Sequence, residues 1–322
     1  MPPRGSIECL SSKEFLAKEF PRQLYLCEPC IPLGGTVMLH GKRAVGKTAF
    51  ALTIANSILR GEAFLDLYPC FAGPVVYIQI DMPARLQQER MKRFNMAHDD
   101  FHIIVSDSNI DILAEAKFSS NPWVRWLQEL KPVLTIVDTL RKSHSEDENS
   151  SDTPVKVLGA WRDIIGPDCT LMFLHHDRKS FEGENQDEAA RGSGAWLDEI
   201  DTAIHLVGKH KRLAYMDFTK LRTMDYPQPV SLRLSPETLL VEVDGRKQVD
   251  IWLDSEMKKQ RYSREFLAKE SQNLARWQPA LSKATAYRKL ENYTEPTHPK
   301  DESHKVASLT PVRLAKSNAA ST

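Results

Sequence analysis

The stretch Gly41-Lys42-Arg43-Ala44-Val45-Gly46-Lys47-Thr48 decides the fold of this chain. A strand-like apolar run at residues 35–40 precedes it, and residues 48–59 carry apolar side chains at helical spacing. A Gly-x-x-x-x-Gly-Lys-Thr string between a strand and a helix is typical of a phosphate-binding loop. The alternative, a glycine turn with a surface lysine, requires neither flanking element. We therefore predict a site for a nucleoside triphosphate.

Each part of this loop has a predicted role. The backbone N–H groups of residues 45–48 are expected to face the β-phosphate, where the helix N-terminus adds partial positive charge. Lys47 is expected to reach the β- and γ-phosphates, and the Thr48 hydroxyl to bind Mg²⁺. The predicted nucleotide-binding residues are Gly41, Ala44, Val45, Gly46, Lys47, Thr48 and Ala49.

A second apolar strand, residues 133–138, ends in the carboxylate of Asp138. A carboxylate at the carboxyl end of a buried parallel strand can hold Mg²⁺ or its water beside the phosphate loop. Apolar strands ending in aspartate are common, so this assignment depends on the pairing with the loop. The sequence contains no Asn/Thr-Lys-x-Asp string, the usual guanine-recognition motif. We therefore expect ATP and Mg²⁺ as cofactors, with Thr48 and Asp138 as the magnesium ligands.

Strand-like and helix-like segments alternate along most of the chain. Alternation of this kind predicts an α/β fold with a mostly parallel sheet and helices on both faces. Predicted strands cover residues 74–80, 102–105, 132–137 and 169–174, and predicted helices lie around residues 86–91, 122–130 and 155–165. After residue 206 the pattern changes to hairpin-like strands at residues 212–219, 230–234 and 239–243.

Composition excludes several classes of protein. Lys and Arg number 43 and Asp and Glu also 43, so net charge indicates no partner. No apolar run is long enough to span a bilayer, and five irregularly spaced cysteines argue against a secreted disulfide framework. We expect a cytoplasmic protein without a membrane partner. Cys27 and Cys30 have metal or redox spacing, but a zinc site needs further ligands, so ordinary thiols are expected.

The sequence predicts four regions. Residues 1–35 form a lead-in segment with a helix from Ser12 to Glu19, and residues 36–245 form the ATPase domain. Residues 246–293 form a helical region, and residues 294–322 are expected to be disordered. From residue 245 onward, fifteen Lys and Arg face nine Asp and Glu. Residues 282–288 resemble the recognition helix of a helix-turn-helix domain, winged or plain; a helical pair packed on the ATPase core is the alternative.

Three further stretches resemble a known family. DTLRKSHSEDENSSD from Asp138, FLHHDRKS from Phe173 and ARGSGAWLDEIDTAIHL from Ala190 resemble the RepA-like plasmid replicative helicases, a branch of the RecA/DnaB hexameric ATPases. The resemblance covers about residues 20 to 245. It implies a RecA-like P-loop core, an ATP site shared between subunits of a homohexameric ring, and ATP hydrolysis linked to DNA.

The same resemblance assigns catalytic roles. Asp81 falls where the family carries a glutamate that orients the attacking water, and it is one methylene shorter. Positioning errors of about 1 Å can cost on the order of 100-fold in rate, so hydrolysis is expected to be slow unless the strand sits closer. The alternative is an aspartate that caps the helix after Pro83.

His175 and His176 end a strand where relatives place a polar sensor of the γ-phosphate. Adjacent strand residues point to opposite faces, so only one histidine can face the nucleotide. Motif alignment favours His175, and the alternative is that both histidines only pack or contact solvent.

Thr219-Lys220-Leu221-Arg222 resembles the Lys-x-Arg finger that DnaB-type ATPases supply to the γ-phosphate of a neighbouring subunit. Strand alternation puts Lys220 and Arg222 on one face, as a two-pronged finger requires. A solvated basic face of a hairpin is the alternative. The catalytic set predicted from the sequence is Lys47, Asp81, Asp138, His175, Lys220 and Arg222.

The polar segment 177–194 corresponds in RecA-like rings to a loop that contacts single-stranded DNA in the central channel. Arg178 and Lys179 could contact phosphates, whereas Glu182, Glu184, Asp187 and Glu188 in the same segment oppose a polyanion. Two functions therefore remain open. One is an oligomeric, DNA-dependent ATPase of the helicase group; the other is a DNA-binding regulator or assembly factor, switched by ATP and weak in hydrolysis.

Overall fold

The architecture was obtained as a computed structural model. It describes residues 8–20, 23–80, 82–117, 121–147, 150–177, 194–209, 212–222, 226–227, 229–244, 253, 256–257, 262–272, 283–291, 293–294 and 296. Asp81, the segment 178–193 and the residues after 296 lie outside these ranges, and so do the predictions made for them.

Eleven strands are defined among the described residues. They are β1 Tyr25–Cys27, β2 Ile31–Pro32, β3 Thr36–Gly41, β4 Val75–Gln79, β5 Phe101–Val105, β6 Leu134–Asp138, β7 Thr170–His176, β8 Thr202–Lys209, β9 Arg212–Leu221, β10 Val230–Leu234 and β11 Val241–Val243. The α-helices are α1 Ser12–Ala17, α2 Lys47–Arg60, α3 Ala84–Arg93, α4 Ile112–Lys117, α5 Pro122–Leu130, α6 Thr153–Ile165, α7 Gly194–Glu199, α8 Arg264–Ser271 and α9 Lys283–Lys289, with a 3₁₀ turn at Leu140–Lys142.

Nine strands form one sheet in the order β11-β10-β9-β8-β3-β7-β6-β4-β5. The six strands from β8 to β5 in this order pair in parallel, and β9, β10 and β11 extend the sheet by antiparallel pairing. The mostly parallel, RecA-like α/β sheet predicted from the sequence is therefore confirmed. Strand β7 lies between the loop-bearing strand β3 and β6, which ends at Asp138.

Two apolar clusters cover the two faces of the sheet. One contains residues of α2 and α3, and we call it the α2 face; the other contains residues of α4, α5, α6 and α7, and we call it the α6 face. Alternation is visible within β7, where Met172 and Leu174 belong to the α2 face while Leu171 and Phe173 belong to the α6 face. Among the described residues, no helix has the length and apolarity that crossing a membrane requires.

The lead-in segment contributes to the core before residue 36. Strands β1 and β2 pair with each other, and Leu26 and Ile31 are fully or almost fully buried in the α2-face cluster. Helix α1 is capped by the Ser11 side chain and has no buried residue. Its predicted end at Glu19 is two residues later than observed.

The two C-terminal helices bury a third cluster between them. Phe266 and Leu267 of α8 meet Ala286 and Leu290 at α9, and Tyr293 donates a hydrogen bond from its hydroxyl to Tyr262 O at 2.7 Å. This cluster shares no residue with the two sheet clusters. The described helices therefore pack on each other, and the helix-turn-helix assignment stays a prediction.

Candidate nucleotide-binding site

The loop after β3 adopts a backbone that its glycines permit. Gly41 has φ 154°, and a Cβ there would lie 2.5 Å from Leu206 O. Gly46 takes φ 109° at the N-cap of α2, and Ala44 takes φ 59°. Positive φ disfavours residues with a Cβ, so the glycine positions are demanded by the loop path. The first N–H groups of α2 are therefore presented at the mouth of the loop.

Lys47 is buried and held at the base of the loop. Its ammonium donates hydrogen bonds to Gly41 O at 2.9 Å, to Lys42 O at 3.1 Å and to His176 Nδ1 at 2.9 Å. Burial lowers the pKa of Lys47 to about 8, against the raising effect of the Asp177 and Asp138 charges. At pH 7 the side chain therefore remains mostly a cation, although it is largely removed from water.

Thr48 and Asp138 meet as the sequence predicts for a magnesium site. The Thr48 hydroxyl donates to Asp138 Oδ2 at 3.1 Å, and the Tyr77 hydroxyl donates to the same oxygen. A hydroxyl and a carboxylate are the hard oxygen ligands that Mg²⁺ prefers, so this pair fits the expected ion. Burial and the Asp138 charge raise the pKa of Tyr77 well above its usual value, which keeps the phenol a donor.

The two histidines at the end of β7 face opposite ways. His176 follows the alternation of Met172 and Leu174, lies on the α2 face and bonds to Lys47. His175 lies on the α6 face, and burial lowers its pKa to about 4. The sequence favoured His175 as sensor, but the structure places His176 on the loop lysine. Adjacent residues of a strand point to opposite faces of the sheet. Helix α2 packs on the face that the even-numbered residues of β7 share, so His176 lies on the side of the loop lysine and His175 does not.

Asp177, directly after His176, joins three neighbouring strands. It lies with Oδ1 2.9 Å from His40 Nδ1 and with Oδ2 3.3 Å from His205 Nε2, while His40 Nε2 is 3.1 Å from the Thr219 hydroxyl. Burial alone would raise the pKa of Asp177, but the hydrogen bonds to His205 and His40 hold it well below its usual range. The carboxylate thus links His40 on β3, the residue before the loop, with His205 on β8. The contact of His40 with Thr219 extends this link to β9.

The ligand atoms of His40, Asp177 and His205 lie within 4.8 Å of one another, close enough for a metal ion. However, the two imidazole rings are stacked, with centroids 4.6 Å apart and an interplanar angle of 5°. In this arrangement Asp177 contacts both rings, so the cluster links the residue before the loop with β8 and the β7 terminus.

Lys220 and Arg222 lie together at the opposite end of the sheet. Lys220 donates to the carbonyls of Leu197 and Asp198, and Arg222 donates to Asp198 O at 2.7 Å. These carbonyls belong to α7, whose C-terminal end carries partial negative charge that cations stabilise. Leu221 of β9 pairs with Thr202 of β8, whereas Gly41, where the loop begins, pairs with Leu206 of β8. About 13 Å of strand therefore separates the pair from the loop of its own chain.

Sequence reasoning missed Tyr77 and the Asp177 cluster. Tyr77 alternates with Val75 on the α2 face, so the strand pattern contained a usable signal once the face of α2 is known. The Asp177 contacts join residues 137 positions apart and carry no local signal.

A family model described as AAA domain matches residues 4–182, more than half of the 322-residue chain. The chain belongs to the AAA domain family. The matched part of this AAA domain contains the phosphate loop, Asp138 and both histidines of β7. Together with the loop geometry, this makes the protein a P-loop ATPase.

Two solved structures resemble the AAA domain chain. One is the flagellar accessory protein FlaH from Methanocaldococcus jannaschii, with 11% identity, 66% of this chain and 91% of that chain covered, and a TM-score of 0.45. The other is the KaiC-like protein PH0186 from Pyrococcus horikoshii OT3, with 15% identity, 69% and 98% coverage, and a TM-score of 0.48.

Proposed function

We propose that this protein is an oligomeric ATPase that hydrolyses ATP in work on DNA, with the site shared between subunits. The observation that carries the proposal is the meeting of Lys47, Thr48 and Asp138 at the carboxyl end of the sheet. A buried cation, a helix N-terminus and a carboxylate–hydroxyl pair are the groups that nucleoside triphosphate chemistry requires. Lys47 and Thr48 both lie at the start of α2, whereas Asp138 ends β6, so their meeting depends on how these two elements are placed in the fold.

The roles of the residues follow from their contacts. The Lys47 ammonium is proposed to neutralise charge on the β- and γ-phosphates, and His176 contacts that ammonium at 2.9 Å. Thr48 and Asp138 would hold Mg²⁺, which screens phosphate charge when bound, and Tyr77 orients the Asp138 carboxylate. Asp81, after the end of β4, is proposed to orient the attacking water.

The position of Lys220 and Arg222 supports a site completed by a second subunit. Their separation from the loop leaves them no route to the phosphates of their own chain. Arg222 keeps a half-exposed guanidinium, with 52% of the side chain accessible, at the sheet end where another copy could approach. The competing role is to cap α7, which both side chains already do.

We propose DNA as the substrate because the sequence resembles the RepA-like helicases. A second candidate, an ATP-switched DNA-binding regulator with weak hydrolysis, is favoured by the separate basic helical pair at the C-terminus. The two differ in one measurable property. A DNA-dependent ATPase turns ATP over faster with single-stranded DNA, whereas a regulator changes its DNA affinity with nucleotide and shows little turnover.

ATP turnover of the purified full chain, with and without single-stranded DNA, tests the proposal. Lys47→Ala should abolish hydrolysis, because the charge that neutralises the phosphates is lost; Lys92→Ala, which removes an exposed lysine of α3, is the control. Stimulation by single-stranded DNA supports the leading function, and strand displacement supports helicase activity. Wild-type turnover in Lys47→Ala would reject the site.

A further inference from the structure

We propose that Cys27 and Cys70 form a reversible disulfide, created by exchange with a small-molecule disulfide that is attacked at Cys70. The two thiols are 43 positions apart in sequence, yet their Sγ atoms are 3.0 Å apart. In the sequence Cys27 has metal or redox spacing only with Cys30, and nothing local marks Cys70 as its neighbour.

Backbone pairing brings the two cysteines together. Cys27 and Cys70 form an antiparallel bridge in which Glu28 N donates to Pro69 O at 2.8 Å and Phe71 N donates to Leu26 O at 2.9 Å. The hydrogen bonds thus flank the cysteines rather than joining them, which defines a non-hydrogen-bonded antiparallel pair. Such pairs have Cα atoms about 4.5 Å apart, inside the range that a disulfide spans. A bond can therefore form with little backbone movement.

The two thiols have different roles. Cys70 is partly accessible, whereas Cys27 is 1% exposed. The hydrogen bond from Cys27 lowers the pKa of Cys70, and the same contact together with burial raises the pKa of Cys27 well above its usual value. The reagent therefore meets the more accessible thiol, which also has the lower pKa of the two, and the buried thiol is the resolving group.

The neighbouring Cys30 is a poorer participant in the exchange. It is 2% exposed, and burial raises its pKa to about 12. The Cys-x-x-Cys spacing that suggested a pair in the sequence therefore does not identify the reactive pair.

The exchange balances in two steps. The Cys70 thiolate attacks one sulfur of the reagent, forms a mixed disulfide and releases the first reagent thiolate, which takes up a proton. Cys27 then gives up its proton and attacks the Sγ of Cys70, which breaks the mixed bond and releases the second reagent thiol. Two protein thiols are oxidised, and one reagent disulfide is reduced to two thiols.

The bond would close a loop containing β2, β3, the phosphate loop and helix α2. Cross-linking a long loop restricts the unfolded chain, so the melting temperature of the oxidised protein should rise by on the order of 5 °C. The part of the chain stabilised in this way is the part that presents Lys47 and Thr48.

The test uses the full chain with Cys9→Ser, which removes an exposed thiol that could form an adduct. After incubation with oxidised glutathione, we expect the loss of two thiols per chain, a linked Cys27–Cys70 peptide in mass spectrometry, the higher melting temperature, and reversal by dithiothreitol. Adding Cys169→Ser should change none of these, because that thiol is buried elsewhere in the core.

Two further variants keep the outcome decisive. Cys70→Ser should lose no thiol pair, and Cys30→Ser should still form the Cys27–Cys70 link. A linked Cys27–Cys30 peptide in Cys70→Ser, or a stable glutathione adduct on Cys70 of the folded protein without loss of the Cys27 thiol, would overturn the proposal. None of these measurements depends on ATP turnover, so the proposed function can fail without affecting this result.

Discussion

The phosphate loop and the Lys220–Arg222 pair contain similar cations in different surroundings. Lys47 is 6% exposed and donates to three acceptors of its own chain, with Thr48 and Asp138 beside it. Arg222 is half-exposed, and its contacts are a helix-end carbonyl and the Asp201 carboxylate. The first region has its chemical groups assembled within one chain. The second presents a half-exposed cation away from the loop, and our proposal assigns that cation to the site of another subunit.

The largest expected effect comes from the exposed region. Arg222→Ala should lower ATP hydrolysis by roughly 10³-fold or more while nucleotide binding by Lys47 and Thr48 is retained, because a finger acts on charge developed in the transition state. Turnover and equilibrium binding of a fluorescent ATP analogue check this. Arg233→Ala, which removes an exposed arginine of β10, is the control. Wild-type turnover in Arg222→Ala would leave only the α7-capping role.

Mixed oligomers sharpen the same point. Arg222→Ala and Lys47→Ala subunits, each inactive alone, should recover part of the activity when mixed, since some interfaces then pair an intact loop with an intact arginine. Mixed oligomers that form but stay inactive at every ratio would contradict a shared site, unless one dead interface stalls the whole ring. The single-variant turnover above does not have this ambiguity.

A smaller effect separates the two histidines of the loop region. His176→Ala should reduce turnover by about 10- to 100-fold, the equivalent of one hydrogen bond to a charged group, roughly 1.5–3 kcal/mol. His175→Ala should change turnover by less than about threefold, because that side chain lies on the α6 face and its lowered pKa, about 4, keeps it neutral at pH 7. The reverse ranking would restore the assignment made from the sequence.

The smallest effect is a pH dependence of ATP affinity. With the pKa of Lys47 lowered to about 8, its ammonium is mostly charged at pH 7 and mostly neutral at pH 9. The charged form binds phosphate, so affinity should fall by about tenfold between these pH values. Calorimetric titration at both pH values measures the change. Lys47→Arg keeps its charge throughout, so an equal loss in that variant would mean that another group titrates.

The local parts of the site were predictable from the sequence. The glycines, Lys47 and Thr48 occupy fixed positions in a string whose chemistry needs those residues, and the apolar run before Asp138 indicates a buried strand. The parallel strands followed from their alternation with helices and were confirmed, as was the change to antiparallel pairing after residue 206. The roles of Asp81 and of the segment 178–193 stay predictions, because these residues lie outside the described part of the chain.

The sequence by itself determined the loop, the order of the elements and the rule that only one of two adjacent histidines can face the nucleotide. The tertiary structure decided that His176 is the one that contacts Lys47, since alternation fixes relative faces but not the face on which α2 packs. It also decided that Cys70 meets Cys27, that Asp177 joins His40 to His205, and that Arg222 lies far from its own loop. Each of these depends on strand register between distant segments, which local periodicity leaves open because a shift by one residue reverses every side chain.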